Sequence, residues 1–464
     1  MNKHCWFFLF GAALLTTSAA AAGAQAASAD IPVTLAEAIQ QGLSARIQLN
    51  IAGAEVSKAQ GSLAEARGGY WPELGIEANT GKTKSDDDFT GIQANATVGG
   101  NPVVVNVTRT VPAYTSSAAL KANLNLYAGG QTRARISEAR GGVTAAVADR
   151  EQRRREIVID IIRSYWSVRR AQLRVAVSAD SATLAQREVA LAEAKVDLGK
   201  GSRIALAEKK LALLQKQVDR KKADLDLSDA YRRYLTALGH DARAQKTALP
   251  GPALTDSPDG LDVQALLAPY VPQQAPELLK AQANLRMARA RKRAARSEYF
   301  ARVDVYARYQ DVGRDDDSLS GSFDDWHHAE TVVGLGVSWK LFNGLQSHYR
   351  VAQATDEVAR ATLALELARQ EYGAGADDRD NAIGRLTQEV ELAQRQLEIS
   401  REKENIAREG VEAGRVTTLD YEAAKFAIRD AEVRVQVASM EHVSASMEQL
   451  LLSARDMPAE TLAP

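Results

Sequence analysis

The feature that most constrains this chain is an internal repeat. The stretch "LYAGGQ" at 126–131 returns as "LFNGLQ" at 341–346, and "LGKGSRIAL" at 198–206 returns at the same spacing as "AGRVTTLDY" at 413–421. The segment between these two landmarks therefore has one length in both halves. A third pair, "EARGGYWPEL" at 65–74 and "AARSEYFARV" at 294–303, is more widely spaced. The difference in length falls between this landmark and the next, where a surface loop should vary. The sequence predicts a duplicated chain.

Each half predicts the order helix, strand, long loop, strand, very long helix, tight turn and returning helix. The opening helices span roughly 35–69 and 261–298. Repeat 1 is predicted at 30–239, with strands near 73–82 and 117–127, a long helix over 131–198 and a return helix over 202–238. Repeat 2 is predicted at 262–452, with strands near 301–311 and 331–342, a long helix over 346–413 and a return helix over 417–452. A Pro/Gly-containing linker covers 240–261, and a tail covers 453–464.

The N-terminus has the pattern of a cleaved secretory signal. Lys3 and His4 precede a short apolar run, and a small-residue stretch with two A-x-A sites follows. We assign the signal to residues 1–27, with an uncleaved anchor as the alternative. Cys5, the one cysteine of the sequence, lies in this segment, so the mature chain is expected to use neither disulfides nor thiol chemistry. After the signal, no apolar run is long enough to predict a transmembrane helix.

The four predicted strands alternate apolar and polar residues with a period of two. In "AALKANLNL", for example, Leu120, Leu124 and Leu126 fall on one face. One interpretation is a soluble antiparallel sheet with one buried face, and the other is a membrane barrel with a polar lumen. Long polar connecting loops favour the barrel. So do aromatic residues at the strand ends, as an interfacial girdle requires: Tyr70, Trp71, Tyr127, Tyr299, Phe300, Trp339 and Phe342.

Four strands cannot close a membrane barrel, since the smallest such barrels have eight. An open sheet edge in hydrocarbon would leave backbone groups without hydrogen-bond partners. The missing strands must therefore come from other copies of the chain. Two copies would supply eight strands, and three would supply twelve around a wider lumen.

The long segments after the strands predict helices of unusual length. No proline interrupts 131–198, which as a helix would span about 100 Å. Past each turn the apolar residues recur every seven positions. One seam is Ile204, Leu211, Val218 and Leu225; the other is Leu419, Phe426, Val433, Met440 and Met447. Heptads of this kind predict two antiparallel coiled-coil hairpins, in which the seam residues are core.

Composition and motifs argue against several function classes. The net charge is −1, whereas a nucleic-acid-binding face needs strong positive charge. His327 and His328 lie close to Asp324 and Asp325, but no further ligand follows at zinc-like spacing. No Ser/His/Asp constellation stands out. We therefore predict no enzyme, no metal site and no cofactor.

The motifs "ARGGYWPEL", "NLYAGGQ", "KLFNGLQ" and "EAGRVTTLDYEAA", in this order of elements, resemble the outer-membrane efflux protein family, the TolC-like exit ducts. The resemblance covers nearly all of the mature chain. It implies an α+β membrane protein in which a homotrimer forms a twelve-stranded barrel in the outer membrane of a Gram-negative bacterium. A long α-helical coiled-coil barrel would continue it into the periplasm, with the 240–261 linker in its equatorial region.

The resemblance also implies functional residues at the hairpin turns. The family's turn carries two aspartates three residues apart at a constricted entrance. Asp420 matches the first, but Ala423 stands in place of the second. We expect Asp420 and Thr417 at this gate, with a solvated surface aspartate as the alternative. The tips expected to dock an adaptor comprise Gly199, Lys200, Ser202, Gly414 and Arg415.

The function that the resemblance implies is a passive conduit of a tripartite export system. Its partners would be a periplasmic adaptor (a membrane fusion protein), an inner-membrane transporter of the ABC or RND type, and outer-membrane lipid. The turn motif and the absence of a lipid anchor favour type I protein secretion or multidrug efflux. A periplasmic coiled-coil adaptor or a structural protein is the alternative, although neither explains two hairpins together with four amphipathic strands.

Overall fold

The computed structural model describes residues 33–82, 92–98, 101–107, 114–240, 253–315, 317–326 and 329–453. The predicted signal, His327 and His328, and all but the first residue of the predicted tail lie outside these ranges. The helices of the described part are α1 Leu35–Ala45, α2 Ile47–Gly68, α3 Gln131–Asp197, α4 Arg203–Ala237, α5 Val263–Leu267, α6 Pro276–Arg296, α7 Leu319–Asp324, α8 Gln346–Glu412 and α9 Thr418–Leu452. The strands are β1 Glu73–Lys82, β2 Ile92–Val98, β3 Asn101–Val107, β4 Tyr114–Ala128, β5 Arg302–Asp315 and β6 Glu330–Ser338.

The structure differs from the sequence expectation at both opening helices. The first is broken at Arg46, whose backbone is extended and whose guanidinium contacts the Ala237 carbonyl at 2.9 Å and Asp160 at 2.5 Å. These bonds to α4 and α3 hold the break open. The second is divided into α5 and α6, with Pro276 at the start of α6. Proline fits the first turn of a helix, where its missing N–H leaves no bond unmade.

The loops between strands also contain more structure than the sequence predicts. The first holds the antiparallel hairpin β2–β3, and the second holds the short helix α7. The fourth main strand ends at Ser338, so Trp339 and Phe342, predicted to lie within it, follow it instead.

The four main strands form one antiparallel sheet in the order β1-β4-β5-β6. Directly opposed residues share a face. Ile76 pairs with Leu120, and Leu120 pairs with Tyr309. Leu124 pairs with Val305, which pairs with Leu335. The apolar residues of the four strands therefore lie on one side of the sheet.

The opposite face of the sheet is polar. There Lys121 forms an ion pair with Glu77, and the Asn125 amide donates to Asp304 at 2.6 Å. A sheet with one apolar and one polar face matches the alternation expected of a membrane barrel with an aqueous lumen.

A β-bulge interrupts the pairing of β4 with β5 between Asn125 and Tyr127. The extra residue, Leu126, shifts the register by one, so Tyr127 pairs with Val303. Strict alternation would have placed Tyr127 on the polar face. The bulge moves it to the apolar face instead, as bulges re-aim side chains at barrel rims.

The long helices lie side by side. Helix α3 packs against α4 and α9, and α9 packs against α8, which gives the lateral order α4–α3–α9–α8. Nearer the sheet, α2 and α6 pack on α3, and α6 also packs on α8. In the part of the chain that the structure describes, no helix is both long and apolar enough to cross a membrane.

The main core lies where α1, α3, α4 and α9 meet. Tyr165, Trp166 and Tyr234 are fully buried there, and the Tyr165 ring meets the other two edge-on at 5.4 and 6.0 Å between centroids. The Tyr165 hydroxyl donates to the Val33 carbonyl at 3.0 Å and accepts from the Asp256 N–H at 3.3 Å. Burial raises the pKa of Tyr165 and of Tyr234. This core therefore ties the first helix and the inter-repeat linker to the long helices.

Candidate functional site

The turn between α3 and α4 is a Schellman motif. Gly199 has φ +68°, a conformation that glycine adopts without a Cβ penalty. Its N–H bonds to the Val196 carbonyl at 2.9 Å, and the Lys200 N–H bonds to the Lys195 carbonyl at 2.9 Å. The Ser202 hydroxyl then accepts from the Ile204 N–H at 3.2 Å and caps α4. The sequence "GKGS" thus reverses the chain in a single tight turn.

The turn between α8 and α9 repeats the same geometry. Gly414 has φ +66°, its N–H bonds to Val411 at 3.0 Å, and the Arg415 N–H bonds to Gly410 at 2.7 Å. Lys200 and Arg415 therefore occupy equivalent, exposed positions at the two tips. The predicted docking residues all lie in these two turns.

The α9 turn adds a capping box that the α4 turn lacks. The Thr417 side chain accepts from the Asp420 N–H at 3.2 Å, and the Asp420 carboxylate accepts from the Thr417 N–H at 3.3 Å and from its hydroxyl at 2.6 Å. In repeat 1 the counterpart of Asp420 is Ala205, so this reciprocal bond cannot form there. The sequence reasoning missed this cap, although the spacing T-x-x-D signals it.

Asp420 is nevertheless fully exposed and charged. The hydrogen bond from the Thr417 side chain is the main cause that lowers the pKa of Asp420; the Thr417 N–H and the charge of Lys195 contribute further. The carboxylate is therefore an ionised group held in a fixed rotamer at the mouth of the hairpin. It has both the structural role of a cap and the exposure that a gate requires.

The two turns also differ in how they are packed. A Cβ on Gly410 would lie 2.4 Å from Val416 Cγ2, so the valine side chain covers the glycine. In repeat 1 the equivalent pair is reversed, because Gly201 lies against the backbone of Lys195, with its virtual Cβ 2.9 Å from the Val196 nitrogen. Each turn thus pairs one small residue with one larger residue, in opposite order.

The predicted membrane-interface aromatics come together at one end of the sheet. Antiparallel pairing brings the start of β1, the end of β4, the start of β5 and the end of β6 to the side that faces the long helices. The seven predicted side chains next to these strand ends are all exposed: Tyr70, Trp71, Tyr127, Tyr299, Phe300, Trp339 and Phe342. The Trp339 indole N–H donates to the Tyr299 carbonyl at 3.1 Å, so two of them are linked directly.

The chain passes from strand to long helix through left-handed residues in both repeats. Gly129 and Gly130 have φ +61° and +84°, and Gly344 and Leu345 have φ +66° and +64°. Leu345 thus takes, at a steric cost, the conformation that Gly130 takes freely. A Cβ on Gly129 would lie 2.6 Å from the Ser297 carbonyl oxygen, so glycine is also required by close packing.

A polar cluster that the sequence did not predict holds the start of α8. The Ser347 hydroxyl donates to Glu298 at 2.6 Å, and Arg350 contacts the same carboxylate at 2.8 Å. The hydrogen bond from Ser347 is the first cause that lowers the pKa of Glu298, and Arg350 adds to it. This contact fixes α8 to the turn before β5.

The α4 seam is the main correction to the sequence analysis. The hairpins form, but Leu211 is 58% exposed and Leu225 66% exposed, so this stripe does not pack inside its own hairpin. A second exposed stripe runs along α8, with Ile406 at 62%. Its other members are Leu392 and Ile399. By contrast, Met440 and Met447 of the α9 seam are buried as predicted.

These exposed stripes mark the two lateral edges of the protomer. Helices α4 and α8 are the outer members of the order α4–α3–α9–α8, and β1 and β6 are the outer strands of the sheet. Seven-residue apolar stripes on exposed helices are surfaces for coiled-coil packing. The single chain is therefore one open sector of a larger assembly. Its helices and its sheet both end laterally in surfaces that another copy could cover.

A metal site finds no support among the residues that the structure describes, since no group of three or more His, Cys, Asp or Glu side chains lies close enough together there to hold an ion. The candidate pair His327 and His328 lies outside these residues.

Comparison with known proteins agrees with this geometry. A family model described as "Outer membrane efflux protein" matches residues 38–240 and 270–445. The cobalt-zinc-cadmium resistance protein CzcC of Cupriavidus metallidurans is 27% identical over 352 residues, which cover 74% of this chain and 76% of that protein.

Solved structures share the fold. The outer membrane protein VceC from Vibrio cholerae superposes with a TM-score of 0.70 at 15% identity, covering 90% of this chain and 94% of VceC. CusC gives 0.70 at 17% identity, covering 90% and 92%. The outer-membrane channel OprN gives 0.69 at 17% identity, covering 91% of each chain. These similarities confirm the predicted fold class.

Proposed function

The chain belongs to the outer membrane efflux protein family, and we propose that three copies of it form one conduit from the periplasm to the outside. As a member of this family it is an outer-membrane efflux channel and not an enzyme, as the sequence predicted. The periplasmic-adaptor alternative is therefore set aside.

The assembly that we propose is supported by the two open edges of the sheet, at β1 and at β6. Among the residues that the structure describes, no strand pairs with the outer side of β1 or of β6, and an unpaired edge in hydrocarbon is too costly to persist. Joining β6 of one copy to β1 of the next closes the sheet. The same contact brings α8 of one copy against α4 of the next, where both apolar stripes become buried. Three copies supply twelve strands and twelve long helices, which is a barrel continued by a tube.

The gate proposal rests on Asp420. In a threefold tube, its exposed carboxylate occurs three times at one level of the α9 turn. Three fixed negative charges around a narrow opening attract cations and repel anions. Thr417 positions each carboxylate through the capping box. Repeat 1 contributes no second ring at this level, because Ala205 stands at the equivalent position.

The docking proposal rests on the two tips. Lys200 and Arg415 follow the left-handed glycines in equivalent turns, so a trimer presents six cations at its periplasmic end. A periplasmic adaptor with acidic or carbonyl groups at its own tip would fit this ring. The adaptor would in turn connect the tube to an inner-membrane transporter of the ABC or RND type.

Charge reversal tests the docking proposal more cleanly than bulky substitutions at Gly199 or Gly414, since any side chain there strains the turn. The double variant Lys200→Glu with Arg415→Glu is expected to abolish export while trimers still form. Arg220→Glu, at an exposed position of α4 that lies away from the tip and on the opposite side of the helix from Leu211, is the control and is expected to export normally. Normal export by the double variant would remove these residues from the docking surface.

For the cargo we propose metal cations. The supporting observation is the similarity to a protein named for cobalt, zinc and cadmium resistance. A cation-attracting ring at Asp420 is compatible with such cargo. The sequence alone favoured secreted protein or drugs as the cargo. One growth experiment distinguishes metal cations, drugs and secreted protein.

A strain that lacks this chain is grown with graded Co²⁺, Zn²⁺ and Cd²⁺, with a drug panel, and under conditions that report on secreted proteins. We expect metal sensitivity that the plasmid-borne chain restores. Sensitivity to drugs alone would identify a multidrug channel, and loss of one secreted protein would identify a type I secretion channel. The Lys200→Glu, Arg415→Glu variant should fail to restore whichever phenotype appears, because docking is required for any cargo.

A further inference from the structure

Helix α7 and Trp326, in the loop after β5, fold back onto the outer face of the sheet. The Ser116 hydroxyl donates to the Ser322 carbonyl at 2.5 Å, and the Trp326 indole N–H donates to the Ser116 oxygen at 2.8 Å. Ser116 pairs with Gly313, and it stands at an even-numbered position of β4, as Leu120 does. Its side chain therefore points to the apolar side of the sheet, away from the lumen.

The chain is built to hold this position. A Cβ on Gly313 would lie 1.7 Å from the Ser322 carbonyl oxygen, so only glycine lets the helix lie this close. At the other end of the contact, the Asp315 carboxylate accepts from the N–H groups of Asp317 at 2.7 Å and Ser318 at 2.6 Å. The Ser318 hydroxyl then caps α7 by accepting from Gly321 at 3.0 Å. The segment is thus ordered by its own contacts with β4 and β5.

Three apolar side chains at α7 remain exposed. Leu319 and Phe323 lie one turn apart on the helix, and Phe323 is 51% exposed. Trp326, two residues past the end of α7, is 37% exposed, although its indole N–H contacts the sheet. The Phe323 and Trp326 rings stack at 6.4 Å between centroids. The helix therefore continues the apolar outer surface of the strands with an exposed stripe of its own.

The depth of this stripe matches the far membrane boundary. Ser116 lies near the start of β4 and Tyr127 near its end, so Ser116 is at the opposite end of the strand from the helical tube. At about 3.3 Å per residue and a tilt of about 40°, the stretch 116–127 corresponds to about 25–28 Å along the membrane normal, against an apolar band of about 25 Å. Tyr127 belongs to the aromatic group at the periplasmic end. The α7 stripe falls where the second, extracellular girdle is required.

A neighbouring protomer is not a suitable occupant of the α7 stripe. Helix α7 packs on β4 and β5, which are the two central strands of the sheet, whereas neighbouring copies join at β1 and β6. We infer that α7 and Trp326 form an interfacial anchor whose stripe, Leu319, Phe323 and Trp326, lies in the lipid of the outer leaflet. This inference rests on the membrane barrel and is independent of the cargo and of the docking partners.

Depth-dependent quenching tests the inference. An environment-sensitive fluorophore is attached to single cysteines in a Cys5→Ser background, and the protein is placed in proteoliposomes. Phe323→Cys is the test position, and Asp324→Cys, at the exposed neighbour, is the matched control. Val333→Cys provides a mid-barrel reference, because Val333 pairs with Ala307 and thereby aligns with Ala122, midway between Ser116 and Tyr127. We expect the Phe323 label to be quenched by lipids that bear a nitroxide near the head group and to lose quenching by aqueous iodide, while the Asp324 label keeps iodide quenching. The Val333 label should respond most strongly to a nitroxide deep in the acyl chains.

Equal iodide quenching at Phe323 and Asp324, without lipid quenching at Phe323, would overturn the inference. If Phe323→Cys does not assemble, Leu319→Cys replaces it, since it lies on the same stripe. Gly313→Leu, combined with the Phe323 label, tests the cause of the placement. It should displace α7 and abolish lipid quenching while the helical content of the tube stays unchanged. Unaltered lipid quenching in this variant would show that the contact with β5 does not position the anchor.

Discussion

Replacing Leu211 by alanine tests whether the α4 stripe is an interface between copies. Leu211 is 58% exposed in the single chain, and complete burial of a leucine side chain contributes roughly 1.5–3 kcal/mol. Closing the seam over the exposed fraction therefore contributes about 1–1.7 kcal/mol per copy, or about 3–5 kcal/mol per trimer. Since each 1.4 kcal/mol is a factor of ten, Leu211→Ala should shift the trimer dissociation equilibrium by roughly 10²–10⁴. Any cavity left in the seam adds to this effect.

The assay is the temperature or urea concentration at which purified trimers dissociate into monomers, followed by size in detergent. Arg220→Ala is the matched control, because it lies two and a half turns further along α4 and thus on the opposite side of the helix from Leu211. We expect Leu211→Ala to dissociate well before wild type and Arg220→Ala to follow wild type. The seam assignment is refuted if both variants dissociate as wild type does, or if Arg220→Ala alone weakens the trimer.

Gly130→Ala should lower the free energy of unfolding by about 1–2 kcal/mol, because an alanine is strained at this positive φ. Gly129→Ala should lower it by more, because the added Cβ would also collide with the Ser297 carbonyl oxygen. Equal shifts of the melting temperature in the two variants would contradict this. Gly410→Ala should cost about 1–3 kcal/mol through collision with Val416, and Val416→Ala should restore it in the double variant; additive losses would show that the two residues do not couple. Because the pKa of Asp420 is lowered in the folded state, its charged carboxylate stabilises the fold fully above the unfolded pKa of about 3.9. This stabilisation, and the negative charge itself, are lost only as the pH falls through the lower pKa of the folded state. Cation selectivity in planar bilayers should therefore persist below the ordinary aspartate range and be weak at every pH in Asp420→Asn; a midpoint above that range would count against the assignment.

The sequence predicts the long helices well because their cause is local. No proline interrupts them, and their turns are set by Gly199 and Gly414, whose left-handed conformation is a property of the residue itself. The strand faces follow from period-two alternation, which the pairing of Leu120 with Tyr309 bears out. These features depend on near neighbours in sequence, so a single sequence contains them.

The features that the sequence does not predict depend on contacts between residues far apart in the chain. Arg46 is compatible with a helix, and only its bonds to Ala237 and Asp160 explain the break there. The helix α7 lies in a polar loop whose order comes from Ser116, far away in the chain. The heptads of α4 show a period but not a partner. A seven-residue repeat is equally regular whether it faces its own hairpin or another copy, and only the exposure of Leu211 decides between them.

The difference between the two turns bears on the double role proposed for Asp420, as a helix cap and as part of the gate. The equivalent turn of repeat 1 has Ala205 in place of an aspartate. Ser202 alone caps α4, which shows that a tip of this shape forms without the acidic partner. The carboxylate at Asp420 is therefore not needed to reverse the chain. Its exposure, its hydrogen bonds to Thr417 and its lowered pKa suit the charged ring that we propose, which would use three of the six hairpins of a trimer.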